Sequence, residues 1–442
     1  MQTISAQCIT QLLPAGYQRI LIAYSGGMDS QVLLHLCASV PQLRDSITAI
    51  HIHHGLQKQA DSWAEYCRQQ SATSGVKFTL IKVDAHPYTG ESPEAAARAA
   101  RYQALSQEMQ AGDVLLLGQH REDQLETVLL QLFRGGGIAG LAAMPASMPF
   151  ATGTLLRPLL SLAKQEIQAY AIAHQLSWVD DPSNFSTDYD RNFLRLDIIP
   201  LLKQRWPSLD KAVARTAEHC AAANHLLNTC MAEHLHAMLD QKTQSLSLLQ
   251  WQQYDVHQQH GLLRLWLQNF GLQAPSQAAL HALIQQVILA RADANPQQFL
   301  QGWTIRRYRQ RLYAMPQQCT QAFTEELEWS QAKPTILLNN AYQLSRIPAH
   351  KGIAQQLWQQ SKITLQPRSG GEVLQLQGRR GHHSLKKLFQ EAAIPPWERD
   401  SRPLIYINGR LAAVAGLWVA AWAWSKDGDC FRIDWQYPTS KI

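Results

Sequence analysis

The sequence predicts an α/β fold, a doubly wound parallel sheet, for the N-terminal part of the chain, then a helical domain and a small mixed α+β C-terminal domain. Short apolar runs alternate with longer helix-like segments between residues 19 and 134, as in strands joined by helices. The apolar runs are nearly continuous, as expected for strands buried on both faces. Beyond residue 206 the pattern is mostly helical, and from about residue 334 short β-type runs replace it.

The elements of the first part follow one another regularly. After a leading helix up to about residue 15, strands are expected at 20–23, 47–56, 77–84 and 113–118. Helices are expected at 28–41, 62–74, 92–110 and 121–134, with Pro93 in a first helical turn and three glycines at 135–137 ending the last one. Ligands of such sheets bind beyond the carboxyl ends of the strands, so the polar residues there form the candidate site.

The loop after the first strand has the composition of an anion site. It contains Ser25, Gly26, Gly27, Met28, Asp29 and Ser30. The glycines permit unusual backbone angles and close approach of a ligand, and Asp29 or Ser30 is expected to cap the next helix. Backbone N–H groups and a helix N-terminus would then point at a phosphate. An ordinary strand-to-helix turn is the alternative.

This loop is not a Walker loop, because the chain has no Gly-Lys pair and an aspartate stands where the lysine would be. A carboxylate beside a phosphate is repulsive unless a divalent cation lies between them. The sequence therefore predicts Mg²⁺ bridging Asp29 and a nucleotide.

Three basic residues follow other strands of the predicted sheet. His53 ends the second strand and is expected to border the base or ribose of the nucleotide; a metal cluster with His51 is the less favoured alternative, since no ligand spacing supports it. Arg98 and Arg101 share one helical face. They are expected either to neutralise phosphate charge or to form a solvated basic face.

Two carboxylates open the helix after the fourth strand. Asp123 and Glu126 lie three residues apart, so they share a face of the first helical turn. Acidic residues at this place also favour a helix N-terminus through its dipole. The sharper hypothesis is that the pair binds a cationic amine or a metal.

Composition limits the class of protein. A chain of 442 residues should hold two or three domains, and a net charge of +6 is compatible with a nucleic-acid partner. Seven widely spaced cysteines indicate neither a disulfide framework nor a zinc site and fit a reducing cytoplasm. No signal peptide is evident, and the longest apolar run, 411–424, is too short to span a membrane. Whether the chain forms a homodimer stays open.

The order of several blocks is similar to that of the tRNA(Ile)-lysidine synthetase family, a branch of the N-type ATP pyrophosphatases (the PP-loop family). The blocks lie at 25–30, 53–56, 120–127, 180–184, 189–195, 379–389 and 394–399. The resemblance implies an adenine nucleotide alpha hydrolase-like catalytic domain at 1–205. It further implies a helical substrate-binding domain at 206–316, a linker at 317–335 and a tRNA-binding domain at 336–442.

The resemblance also implies a reaction and roles for residues. ATP adenylates the wobble cytidine of the CAU anticodon of tRNA(Ile), and L-lysine then displaces AMP. Residues 25–30 and His53 would bind ATP, Asp29 would hold Mg²⁺, and Asp123 and Glu126 would bind lysine. Developing negative charge would be stabilised by arginines from two helices, either Arg98 or Arg101 from one and either Arg191 or Arg195 from the other.

Two basic segments are candidates for RNA contact. Four cations lie close together near the C-terminus, Arg379, Arg380, Lys386 and Lys387, and their density favours phosphate binding. Arginines 306, 307, 309 and 311 would touch RNA backbone or form a solvated face.

Three alternative functions remain at this stage. They are tRNA thiolation with the same loop, a non-catalytic tRNA-binding protein, and a metabolite amidation ligase. Thiolation usually needs paired cysteines, which the chain lacks.

Overall fold

The computed structural model describes residues 4–55, 59–84, 93–182, 186–291, 294–317, 321–339, 342–426 and 428–436. Leu56, Ser92, Ser183 and Asn184, which belong to predicted elements or blocks, lie outside the described residues. The chain divides into two compact units, residues 1–228 and 229–442. No helix in the described ranges has the length and apolar character needed to cross a membrane.

The first unit is built on a six-stranded sheet in the order β3-β2-β1-β4-β6-β5. Its strands are β1 (Ile20–Ala23), β2 (Ile47–His53), β3 (Lys77–Lys82), β4 (Val114–Leu116), β5 (Ser147–Phe150) and β6 (Gly153–Leu156). All neighbours are parallel except the edge pair β5–β6. The parallel α/β fold predicted from the sequence is therefore confirmed, with one antiparallel strand added at an edge.

Helices cover both faces of this sheet. They are α1 (Gln7–Thr10), α2 (Met28–Ala38), α3 (Ala60–Thr73), α4 (Pro93–Glu108), α5 (Arg121–Phe133), α6 (Ile138–Leu141), α7 (Lys164–Ala173), α8 (Asp190–Phe193), α9 (Ile199–Arg205) and α10 (Leu209–Met238). Ile20 and Ile22 of β1 pack in the same core as Leu36 of α2, whereas Leu21 packs on the other face with Leu105 of α4. This alternation explains why β1 is apolar at every position.

The second unit begins with helices and a four-stranded antiparallel sheet. The helices are α11 (Leu248–Trp251), α12 (Val256–Gln268) and α13 (Gln277–Leu283), and the strands are β7 (Leu246–Ser247), β8 (Gln297–Leu300), β9 (Trp303–Tyr308) and β10 (Arg311–Pro316). The predicted helical region thus ends in a sheet, ordered β7-β10-β9-β8. Trp266, Ile305 and Leu312 share its core.

The remainder of the second unit is mostly β-structure. Its strands are β11 (Leu327–Glu328), β12 (Thr335–Leu337), β13 (Gln343–Ala349), β14 (Gly352–Ala354), β15 (Ile363–Gln366), β16 (Val373–Leu374), β17 (His383–Ser384), β18 (Leu404–Ile407), β19 (Arg410–Val414), β20 (Trp418–Val419), β21 (Trp424–Ser425) and β22 (Cys430–Gln436). Three short helices, α14 (Gln355–Gln359), α15 (Leu385–Glu391) and α16 (Pro396–Ser401), accompany them. Phe323 and Trp329 contribute to the core of this part.

Candidate active site

The loop after β1 is held by its own polar groups. Ser30 Oγ donates to the carbonyl of Gly27 at 2.9 Å, and the Gly27 N–H donates to Ser25 Oγ at 3.3 Å. Helix α2 begins at Met28 with Gly27 as its N-cap residue, and no side chain caps it. The prediction that Asp29 or Ser30 caps this helix is therefore wrong, because both residues already lie within the first turn. The N-terminal N–H groups are left available for a ligand.

Two glycines allow the loop to pack closely against its neighbours. Gly26 has φ +84°, and a Cβ added there would lie 2.8 Å from Cys67 Sγ. Gly118, just beyond β4, faces the main chain of Asp29, where an added Cβ would lie 3.1 Å from the Asp29 carbonyl carbon. A side chain at either position would displace the loop, so both glycines serve its geometry.

The carboxylate of Asp29 lies at the mouth of this loop. Its Oδ1 is buried and has no hydrogen-bond partner in the part of the chain that the structure describes, and its Oδ2 lies 3.7 Å from His120 Nε2. Burial raises the pKa of Asp29, with a further contribution from Asp123, although the cations of His120, Lys164 and Arg195 act in the opposite direction. A buried carboxylate oxygen without a partner is typical of a cation site.

His120 joins this carboxylate to the start of α5. It is the N-cap residue of α5, it is buried, and its main-chain N–H donates to Asp123 Oδ2 at 3.0 Å. Its Nδ1 lies 3.3 Å from Glu122 Oε2. Burial alone would lower the pKa of His120, but Glu122, Asp123 and Asp29 together raise it. The imidazole is therefore held in a ring of carboxylates that favours its charged form.

Asp123 and Glu126 are brought together with Arg191 and Arg195, as the sequence predicts for one site. Arg191 Nε donates to Glu126 Oε2 at 2.7 Å, and Arg195 Nε donates to Glu126 Oε1 at 2.6 Å. Arg195 Nη2 also donates to Asp123 Oδ1 at 3.1 Å. The Glu126 side chain is 1% exposed and that of Asp123 is 14% exposed. Both oxygens of Glu126 are thus engaged by arginines, whereas Asp123 keeps a more open position.

The segment after α6 is held by two side chains whose roles the sequence did not predict. Gln124 is buried on α5, and its amide both donates to and accepts from the main chain of Met144, at 2.9 and 3.0 Å. Arg157, also buried, donates to the Pro145 carbonyl at 2.7 Å and to Gln119 Oε1. Only contacts between residues distant in the chain reveal these roles, so no local pattern could have identified them.

The basic residues near β2 and α4 form a separate group at the same edge of the sheet. His53 Nε2 lies 3.2 Å from Asp61 Oδ1, and Arg101 Nη2 lies 3.5 Å from His54 Nε2. Burial and the nearby charge of Arg101 lower the pKa of His54 to about 4. The guanidinium of Arg98 lies over the ring of Tyr102, 5.0 Å from its centroid.

No metal cluster accompanies the histidines of β2. Within the described ranges, no group of three or more His, Cys, Asp or Glu residues is arranged to hold a metal ion.

The arginines of the β9–β10 hairpin serve the fold. Arg307 donates to the carbonyls of Ile288 and Ala290 at 2.8 and 2.7 Å, and Arg311 donates to Ser245 Oγ at 2.7 Å. These two side chains are therefore held within the unit and do not form a solvated face, whereas contact with RNA stays a prediction. Each guanidinium donates three hydrogen bonds to carbonyl or hydroxyl oxygens within the unit.

Arg306 and Arg309 of this hairpin pack against the C-terminal part of the same unit. The Arg306 guanidinium lies 5.3 Å from the centroid of the Trp397 ring, and Arg309 Nη2 donates to the Gln390 carbonyl at 2.8 Å. The predicted basic segment near the C-terminus is more open. Its four cations, Arg379, Arg380, Lys386 and Lys387, are all exposed, and Arg379 pairs with Glu391 at 2.8 Å.

Comparison with protein families places three models on the chain. A PP-loop domain model matches residues 1–202, a TilS substrate binding domain model matches 246–313, and a TilS substrate C-terminal domain model matches 363–435. The first match lies in the first compact unit, and the other two lie in the second.

Curated relatives match over most of their length. The tRNA(Ile)-lysidine synthase of Methylococcus capsulatus is 42% identical over 90% of this chain and 92% of its own, and that of Photobacterium profundum is 43% identical over 94% and 95%. Among solved structures, a U34-tRNA thiolase from Methanococcus maripaludis covers 48% of this chain and 77% of its own, with 18% identity and a TM-score of 0.41.

Proposed function

The chain belongs to the tRNA(Ile)-lysidine synthase family, and on that premise we propose how its residues divide the work of the reaction. The enzyme is a ligase that forms a carbon–nitrogen bond. It uses ATP to attach L-lysine to position 2 of the wobble cytidine in the CAU anticodon of tRNA(Ile), through an adenylated cytidine, and releases AMP and pyrophosphate. The modified base reads AUA in place of AUG, and the tRNA changes from methionine to isoleucine identity. Sulfur transfer and a purely binding role are not favoured by relatives of this kind.

We propose that residues 25–30 hold the phosphates of ATP, that His53 borders the nucleotide, and that Asp29 holds Mg²⁺. The open N-terminal turn of α2 supplies backbone N–H groups to an anion. The buried Oδ1 of Asp29, without a partner among described residues, fits a divalent cation. Mg²⁺, when bound, offsets the charge of the leaving pyrophosphate.

We assign the second step to the cluster around α5. Asp123 and Glu126 are the proposed ligands of the lysine substrate. Glu126 is fully engaged by Arg191 and Arg195, so a lysine ammonium that approaches it exchanges with an arginine. The freed guanidinium is then available to the negative charge on the adenylate. Asp123, the more exposed carboxylate, is suited to accept a proton from the attacking amine.

Arg98 and Arg101 are proposed to stabilise negative charge from the α4 side. Both residues are exposed. Among the side chains that the structure describes, neither has a carboxylate partner. They therefore keep their charge available for a phosphate.

Contacts with the body of the tRNA are proposed for Arg379, Arg380, Lys386 and Lys387, because their exposed charges suit phosphate groups. Removal of any one of these four cations should weaken tRNA binding by a similar factor for any tRNA and reduce its dependence on salt.

The domain boundaries expected from the sequence stay a proposal. They are a catalytic domain at 1–205, a helical domain at 206–316, a linker at 317–335 and a C-terminal domain at 336–442. Homodimer formation and action in the cytoplasm are proposals as well.

The arrangement of Asp29, His120 and Asp123 around one loop is the observation that carries this proposal. It is tested with purified protein, unmodified tRNA(Ile) bearing CAU, ATP, Mg²⁺ and radiolabelled lysine, by counting acid-insoluble label. Asp29→Ala should abolish incorporation, whereas Asp45→Asn, a change at an exposed aspartate of the same unit, should not. A parallel tube contains a sulfur donor. Sulfur uptake without lysine incorporation would refute the proposal, as would lysine incorporation that persists in Asp29→Ala.

A further inference from the structure

A shallow groove of about 580 Å³ lies where α9 meets α10, within the first unit. Leu202, Trp206, Pro207, Leu209 and Ala212 line it. The Trp206 side chain is 57% exposed, although it is the largest apolar side chain of this segment. An exposed indole presents a flat apolar face on which a planar ligand can stack.

Arg205 lines this groove, and α10, which forms one side of it, carries further cations. Arg205, Lys211 and Arg215 are all exposed, and Lys211 and Arg215 lie one helical turn apart on α10. No carboxylate among the residues that the structure describes forms an ion pair with any of the three. Like charges one turn apart repel each other. An anion bound between the two charges would relieve this repulsion.

The groove is tied to the catalytic cluster on both sides. On α9, Lys203 Nζ lies 3.4 Å from Glu122 Oε1, and Glu122 in turn contacts His120. On α10, the buried Asp210 accepts from Arg121 Nε at 2.6 Å. Both helices that form the groove are therefore anchored to the start of α5. A ligand in the groove is held in a defined position relative to Asp123.

We propose that the groove binds an unpaired nucleobase of the tRNA substrate, stacked on Trp206, with Arg205, Lys211 and Arg215 contacting the adjacent phosphates. This proposal rests on the proposed function, in which tRNA is the substrate. An exposed indole with several cations is the combination that binds single-stranded nucleic acid. A second copy of the chain is a poorer occupant, because a symmetric contact at this surface would place the same cations opposite each other.

The experiment measures equilibrium binding of tRNA(Ile) bearing CAU to the full chain at several salt concentrations. Trp206→Ala should weaken binding about 5- to 160-fold and Trp206→Phe only slightly, because each stacked base contributes about 1–3 kcal/mol. Lys211→Gln and Arg215→Gln should each reduce the slope of log K against log salt by about 0.7. Leu226→Ala, which removes a 65% exposed side chain from the same helix, and Lys77→Gln, a change at an exposed lysine on β3, are the matched controls.

Two further measurements separate the possible failures. Thermal unfolding shows whether Trp206→Ala is folded, and ATP binding without tRNA should be unchanged in it. Unchanged tRNA affinity in Trp206→Ala overturns the groove proposal, while lysine incorporation by the wild type still supports the proposed function. A wild-type dimer that becomes monomeric in Trp206→Ala overturns it as well, in favour of self-association. A wild type that neither binds tRNA nor incorporates lysine refutes the proposed function itself.

Discussion

Replacing Glu126 with glutamine tests whether this carboxylate holds the arginines of the site. The substitution keeps the shape of the side chain but removes its charge. Arg191 and Arg195 would then face a neutral amide at positions where their donors now bind carboxylate oxygens at 2.6, 2.7 and 2.9 Å. Because the Glu126 side chain is 1% exposed, water cannot reach this position to solvate the arginines in place of the lost carboxylate charge.

The expected loss of stability follows from these contacts. Removing one partner of a buried ion pair costs about 3–5 kcal/mol. The two guanidinium groups are 20% and 30% exposed, so water partly solvates them and the cost falls below that range, to about 2–3 kcal/mol. For a unit of this size, that corresponds to a fall in Tm of about 4–12 °C. Lysine incorporation should fall together with stability, because the arginines lose their fixed orientation.

Thermal unfolding and incorporation kinetics of Glu126→Gln, Arg195→Gln and the double variant test this reasoning. The double variant should lose less stability than the sum of the single variants, since the pair is removed together. The reasoning would be refuted by an unchanged Tm in Glu126→Gln together with a raised KM for lysine. That result would mean that Glu126 acts as a lysine ligand without a structural role.

Three further predictions concern the surroundings of the site. Gly26→Ala should reduce ATP binding and destabilise the unit by more than Gly16→Ala, because both positions have positive φ but only Gly26 also has a close neighbour at its Cβ position; equal effects in ATP binding and chemical unfolding would contradict this. Burial opposes ionisation of Glu122, but its bonds to His120 and Lys164 and the charge of Lys203 lower its pKa to about 2. Its carboxylate should therefore contribute about 3 kcal/mol above pH 4.5, lost as the pH falls towards 2, and pH-dependent unfolding of Glu122→Gln should show a flatter profile over that range. Gln124→Leu removes the two hydrogen bonds to the main chain of Met144 and should destabilise the unit by about 2 kcal/mol, with lower lysine incorporation. A variant with the wild-type Tm and rate of lysine incorporation would show that these two hydrogen bonds are dispensable.

The sheet was predictable because its signals are local. The unbroken apolar run of β1 and the glycines that follow it indicate a buried strand and a turn without reference to the rest of the chain. The N-cap residue of α2 was not predictable from the sequence, because Gly27, Asp29 and Ser30 are all residue types that can occupy an N-cap position. The absence of a side chain at Gly118, which leaves room for the main chain of Asp29 and Ser30, is a contact between distant segments that no local pattern shows.

The charged residues show where local reasoning ends. Asp123 and Glu126 were expected to share a helical face, and they do, but their arginine partners lie 65 or more residues further along the chain. Arg307 was assigned to an RNA contact or a solvated face from its neighbours in sequence, yet it binds carbonyls at the end of a helical segment. The residue type shows which groups a charged side chain can bind, and the fold determines which of these groups lies close enough to bind it.

The close packing of Gly118 against the main chain of Asp29 affects how the enzyme binds ATP. Since the loop rests on the end of β4, its shape is set by the sheet before any nucleotide arrives. Binding then requires little ordering of the protein, so more of the interaction energy appears as affinity. A larger side chain at Gly118 would disturb the preformed loop, and each ATP molecule would then have to order the loop as it binds.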